Sequence, residues 1–317
     1  MISLAKILVG VDLSHADRLI SHDLSDQCEQ AVKKAIELAK AGGGELTFFA
    51  AIDISEQALH LIETDDDSGK KSTVEVEAEE VLGQFVARAS EAGVKADFSI
   101  AFGASWEKTI QEVLKNNHTL VVIGRKSKTT ISNFFFGRTA VKLLRKCPVP
   151  VYVAKPDPVR PVESILVADD FAEIGEDLLD AGVQFAKALD TRLHVVHVVE
   201  SGDDYKLAGS GIAREDLDKL HNEELEQANT IAADRLSRTD ARTIPQGTMV
   251  HIEKGTAENV IGKLLREHEI DLLIMGTNGR TGFSAMMMGN TAERVLADLD
   301  CSLLAIKPRD FRCSVKA

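Results

Sequence analysis

A constant offset of 152 residues separates matching landmarks in the two halves of this 317-residue chain. Gly103 recurs as Gly255, Gly124 as Gly276, Gly137 as Gly289, and Lys155-Pro156 as Lys307-Pro308. The opening string Lys6-Ile-Leu-Val-Gly-Val-Asp12 returns as Ser164-Ile-Leu-Val-Ala-Asp-Asp170. Landmarks held to one offset identify two copies of one unit, and this constrains the fold more than any composition could. The copies differ where loops absorb change. An insertion follows Asp12 in the first, and a few extra residues lie between Leu193 and Gly255 in the second. The expected organisation is a first domain at 1–156, a stiff proline-rich linker at 157–161, a second domain at 162–310 and a tail at 311–317.

Each copy reads β-α-β-α-β-α-β-α-β. In the second, the expected strands are Ser164–Ala168, Leu193–Val199, Thr248–Ile252, Leu272–Met275 and Leu303–Ile306. Helical patterns cover Asp177–Leu189, Asp216–Leu236 and Asn259–Glu267. The longest carries an apolar stripe of Leu217, Leu220, Leu225, Ala228, Ile231, Ala232 and Leu236. Strands alternating with helices imply an α/β fold with a parallel sheet and right-handed crossovers. Aromatics are only 5% of the residues, so Val, Ile, Leu and Ala must fill the core, a palette suited to doubly covered parallel strands. In such folds ligands bind at the carboxyl ends of the strands.

The net charge of −13 argues against nucleic acid as a partner. Arg138, Lys142, Arg145 and Lys146 have the spacing of a solvated helix face. Cys28, Cys147, Cys301 and Cys313 lie far apart, as reduced thiols of a cytoplasmic protein would. No stretch approaches the roughly 18 apolar residues of a membrane span, so no membrane is expected as a partner. His194 and His197 point to opposite faces of one strand, and His251 belongs to another; packed histidines with no metal are the expectation. Met286–Met288 and its counterpart Phe134–Phe136 read as apolar loop or interface patches.

The chemistry concentrates in Gly276-Thr-Asn-Gly279-Arg280-Thr-Gly282, followed by Gly289-Asn290-Thr291 at a helix start. Glycines let the backbone turn sharply and approach a ligand. Unpaired amides and the dipole at a helix start favour an anion. Asn290 or Thr291 can cap the helix or donate to phosphate, and Arg280 can add a charge-assisted contact. The same glycines also suit a turn and helix cap with no ligand.

The spacing Gly276-x2-Gly279-x9-Gly289, followed by a small polar residue, resembles the nucleotide-binding signature of the universal stress proteins. The first-strand Asp and closing Lys-Pro resemble the same family in both copies. The resemblance covers nearly the whole chain. It implies two domains, each a five-stranded parallel sheet sandwiched by helices, Rossmann-like and akin to adenine nucleotide α-hydrolases. It further implies ATP or another adenine nucleotide, with Mg as its companion. Asp170 would meet adenine, Val199 would line the pocket, and Gly276, Gly279, Arg280, Gly289, Asn290 and Thr291 would hold ribose and phosphates. Asn290 stands where Ser or Thr is usual. Asp12, Gly124, Ser127, Gly137, Arg138 and Thr139 form the degenerate counterpart in the first copy, where Ser127 replaces a glycine. The closing strands, Val149–Val153 and Leu303–Ile306, would pair the copies as an intramolecular pseudo-dimer, with a homodimer also open.

A receiver-domain reading fails because its third strand would have to end in Asp, and here it runs Ile252-Glu253-Lys254-Gly255. No Walker lysine or general base stands beside the glycines, so a catalytic residue is not assigned. A sensor or switch in stress response, a slow ATPase, and an interaction protein with a non-ATP, lipid-like or absent ligand remain as readings.

Overall fold

A computed structural model describes residues 2–14, 19–54, 72–125, 136–155, 161–172, 174–200, 214–277, 289–297 and 299–316. The first repeat supplies β1 (Lys6–Val11), α1 (Asp26–Gly42), β2 (Glu45–Ile52), α2 (Thr73–Glu91), β3 (Ala96–Phe102), α3 (Ser105–Asn116), β4 (Leu120–Gly124), α4 (Arg138–Lys146) and β5 (Val151–Ala154). The second supplies β6 (Ser164–Ala168), α5 (Ile174–Leu189), β7 (Arg192–Val199), α6 (Arg214–Ser237), β8 (Thr248–Lys254), α7 (Ala257–Glu267), β9 (Leu272–Gly276), α8 (Asn290–Ala297) and β10 (Ser302–Ile306). These elements fall into two compact units, one of which unites the first repeat with the closing segment from Ser302 onward.

In that unit the strand order is β3-β2-β1-β4-β5-β10. Neighbours from β3 to β5 are parallel. β10 instead runs antiparallel to β5, with Leu303 opposite Val153, Leu304 opposite Tyr152 and Ala305 opposite Val151. Apolar strands demand helices on their faces, and the helix ends are specified locally. Ser25 caps α1 by accepting from the Cys28 amide, while Gly43 closes it at φ 65°. Ser72 and Glu75 form a reciprocal capping box on α2. Phe48 and Phe85 meet at 5.5 Å, and Leu8, Val122 and Tyr152 are fully buried.

The other unit has the order β9-β6-β7-β8, all parallel. Ile165, Leu166, Leu193, Leu272, Leu273 and Ile274 form its dry centre. α5 packs against β6, β7 and β9, while α6 packs against β7 and β8. Only Ala228 and Ala232 of α6 are buried, whereas Leu220 and Ile231 are exposed. The stripe expected from the sequence is therefore only partly covered, with Leu217, Leu225 and Leu236 half-buried.

The glycine landmarks of the repeat have a shared cause. Gly103 at φ 122° and Gly255 at φ 152° lie in a region costly for any side chain. Their amides donate to Ile52 O and Val199 O at 2.9 and 3.1 Å. Each thereby turns the chain from a strand towards the following helix while tying it to the neighbouring strand. Among the described residues, no helix is long and apolar enough to cross a membrane.

Candidate functional site

The carboxyl ends of β9, β6 and β7 share one edge of their sheet, because the strands are parallel and Ala168 registers with both Met275 and Val196. This brings Asp169, Asp170, Val199 and Gly276 to the same side. Asp169 is buried, whereas Asp170 is half-buried. An Asp169 oxygen accepts from the Phe171 amide at 2.8 Å and one from Asp170 accepts from the Ala172 amide at 3.0 Å. The strand thus ends in two consecutive Asx turns.

Between them Phe171 adopts φ 59°, a left-handed conformation that costs a side-chain-bearing residue roughly 1–2 kcal/mol. Arg235, reaching across from α6, holds it there. Its Nη2 donates to Phe171 O at 2.6 Å and Ala172 O at 3.1 Å, while Nη1 donates to Asp169 Oδ1 at 3.1 Å. Phe171 stacks on His197 with ring centres 3.5 Å apart and planes 4° from parallel. His197 Nδ1 meets Asp169 O at 2.8 Å; since a carbonyl only accepts, that nitrogen carries hydrogen. Burial pushes the Asp169 carboxyl above its usual range, against the Phe171 amide and the Arg235 charge, which pull it down. A Cβ on Gly175 would fall 2.1 Å from Asp169 Oδ1, so this ion pair requires glycine at that position.

Sequence reasoning missed this cluster. The signal was the acidic pair itself: two adjacent carboxylates at a buried strand end call for a cation, and Arg235 is 66 residues away. Periodicity along one helix cannot identify such a partner.

The ends of the glycine segment are described, but Gly279 and Arg280 lie outside the described residues. Gly276 ends β9, and Thr277 beside it is almost fully buried. The Gly289 amide donates to Thr277 O at 3.0 Å, closing the base of the segment between them. Glu293 N then bonds to Gly289 O at 3.0 Å, so α8 begins directly at Asn290 and Thr291. Amides in the first turn of a helix lack an intrahelical acceptor, and such a terminus favours an anion.

In the first repeat, Asp12 is exposed and accepts from Ser14 N and Ser14 Oγ at 3.1 and 2.6 Å. A hydrogen bond links the Cys28 thiol to Asp12's backbone; burial, the dominant influence, pushes that thiol up to about 12. Gly124 packs against the first turn of α1, where an added Cβ would meet Gln27 O at 2.2 Å. Arg125, the counterpart of Thr277, is 4% exposed. Gly137 precedes α4 without a side-chain cap, and Arg138 and Thr139 open that helix. Ser127, Phe134, Phe135 and Met286–Met288 lie outside the described residues.

Clefts of 450 and 340 Å³ occur elsewhere, at the amino ends of the strands. The first lies beside Leu236, Ile244 and Thr248, the second beside Lys6, Glu45 and His118. His194 and His197 have different surroundings, as their odd spacing demands. The structure brings His194 together with His251, and also with His268, which the sequence reading did not single out.

Comparison with known proteins places this geometry in context. The sequence model of the Universal stress protein family matches residues 4–155 and again 161–307. Universal stress protein E of Photorhabdus laumondii is 28% identical over 317 residues, covering 96% of this chain and 98% of that protein. Its namesake in Escherichia coli K12 is 27% identical over 315 residues, with 95% and 97% covered. Among solved structures, a functionally unknown protein from Pseudomonas aeruginosa PAO1 superposes with TM-score 0.67 at 20% identity, covering 96% of this chain and 93% of its own. A universal stress protein from Archaeoglobus fulgidus gives TM-score 0.66 at 21% identity, with 96% and 98% covered.

Proposed function

The chain belongs to the universal stress protein family, and from that premise we propose that its second repeat binds an adenine nucleotide, ATP foremost, as a sensor or switch in stress response. The observation carrying this reading is the closed base of the glycine segment, Gly289 N to Thr277 O at 3.0 Å, directly before a helix start. A turn fixed at its base and leading directly into a helix N-terminus suits phosphate. Gly276, Gly279, Gly289, Asn290 and Thr291 would hold the phosphates and ribose, with Arg280 adding charge.

Asp170 and Val199 stand at the carboxyl edge where an adenine would sit. Asp170 is chosen as the carboxylate for recognising the base because the repeat aligns it with Asp12 and it is half-buried, whereas Asp169 is buried against Arg235. The donor set fits a nucleotide: backbone amides and small polar side chains for anionic oxygens, and a carboxylate for an amino group. A companion Mg²⁺ would be held chiefly by the phosphates.

The first repeat is read as mainly structural, because Gly124 is filled against by α1. The β5–β10 pairing supports an intramolecular pseudo-dimer. Mass spectrometry of small molecules released from protein purified without added nucleotide, followed by ATP titration, tests the reading. An adenine nucleotide or saturable ATP binding is expected. Neither at millimolar ATP would overturn it and favour the interaction-protein reading.

A further inference from the structure

The second repeat gathers three imidazoles far from its strand carboxyl ends. His194 is buried on β7, His251 is half-buried on the edge strand β8, and His268 is the half-buried C-cap of α7. The register pairs His194 with Met249 and Val196 with His251. Both histidines therefore project from one sheet face, two residues apart along it. A helix connecting parallel strands must return the chain to their amino ends, and α7 does so while packing on β7. It delivers His268 above the other two.

His194 Nδ1 and His251 Nε2 are 3.0 Å apart. The ring centres are separated by 5.3 Å for His194–His251, 4.7 Å for His194–His268 and 4.9 Å for His251–His268. One nitrogen from each ring can be chosen so that all three lie within 4.8 Å of one another.

We propose that His194, His251 and His268 form a site for one divalent transition-metal ion of the zinc class. Bonds of about 2.0–2.1 Å in tetrahedral geometry place ligand nitrogens roughly 3.3 Å apart. The first pair already stands near that separation. His268, at a half-exposed helix end, closes the remaining gap by side-chain rotation. For the facing nitrogens of His194 and His251 both to bind the ion, the ring that donates the hydrogen bond between them switches tautomer, its proton moving to its other nitrogen.

Three nitrogen donors select zinc, copper or nickel over magnesium or calcium, which take oxygen. The nearby Glu253 and Glu267 carboxylates both face Lys263, at 3.0 and 3.9 Å, leaving the fourth position to water or an outside ligand. The ion would tie edge strand β8 and the end of α7 to β7. Five residues of β7 separate His194 from Val199, about 16 Å at ~3.3 Å per residue, so this site is independent of the nucleotide reading.

The test uses untagged full-length protein, stripped with chelator and titrated with Zn²⁺ against a chromophoric competitor. One equivalent per chain is expected. Affinity should fall at least about tenfold in His251→Gln and His268→Gln. It should be unchanged in His22→Gln, an exposed histidine of the first repeat, and in Asp170→Ala. Co²⁺ should give the visible bands of a four-coordinate nitrogen site. No saturable equivalent, or binding that survives both substitutions, overturns the proposal. If neither variant folds, the wild type decides: octahedral Co²⁺ bands, or no Zn²⁺ protection of His251 and His268 from diethyl pyrocarbonate, overturns it equally.

Discussion

Gly124 and Gly276 are the same residue of the repeat, yet they answer to different forces. At Gly124 an added Cβ would meet the Gln27 carbonyl oxygen at 2.2 Å and its carbon at 2.7 Å, both backbone atoms. At Gly276 it would touch only Ile174 Cδ1 at 3.4 Å and Cγ2 at 3.7 Å. The first glycine is fixed by helix packing. At the second, the described residues leave an added Cβ in ordinary contact with Ile174, which is compatible with the ligand approach proposed above. A repeated residue can thus keep its identity while its surroundings differ.

The strongest challenge to this contrast is a matched pair of substitutions. Gly124→Ala should cost about 3 kcal/mol, since backbone must move, whereas Gly276→Ala should cost less than about 1 kcal/mol. Urea unfolding measures both, and equal losses would break the comparison. Next, Arg235→Met should cost about 2–3 kcal/mol, because it leaves Asp169 buried without its cation and releases the Phe171 turn. In the first repeat Val11 stands where Asp169 stands in the second, so no matching ion pair forms there, and Asp12, the counterpart of Asp170, is exposed; Asp12→Asn should therefore be nearly silent in the same assay.

A smaller effect should separate the proposed sites. Asp170→Ala should weaken ATP binding roughly tenfold, about 1.4 kcal/mol, while Asp12→Ala leaves it unchanged in calorimetric titration. Reversed outcomes would move the nucleotide to the first repeat. A separate, pH-dependent effect concerns Lys307, repeat partner of Lys155. Burial lowers it from 10.5 to about 8, with Arg145 adding to the shift and Cys147 opposing it. Between those values the unfolded chain binds more protons than the folded one, so stability should rise as pH increases from 8 towards 10.5. Lys307→Met should flatten that rise in melting temperature, and an unchanged slope would assign it to other groups.

Much of the architecture was legible because it is written locally. The apolar runs locate every strand of the second repeat, with β8 extending two residues past its expected end at Ile252. Helix α6 was legible as a helix but not in its docking face. At about 1.5 Å per residue its 24 residues outreach strands of seven or eight residues, so much of its stripe has no sheet beneath it. Ala228 and Ala232 mark the actual contact because small side chains allow close approach. Asp170, Val199 and Gly276 were legible as strand ends. The Asp169–Arg235 pair and the three-histidine cluster were not, since each joins residues more than fifty positions apart through strand order and helix return.

The antiparallel seam between β5 and β10 has a consequence for divisibility. The proline-rich linker marks where the repeat ends in sequence, but the seam carries the last strand of the second repeat into the unit built by the first. Cutting at the linker would therefore leave β5 and β10 on separate fragments. The amino-terminal fragment would bear β5 as a naked, fully apolar edge, prone to recruit any strand at hand. The last strands of the two repeats are thus tied to each other by backbone hydrogen bonds as well as by the linker between them.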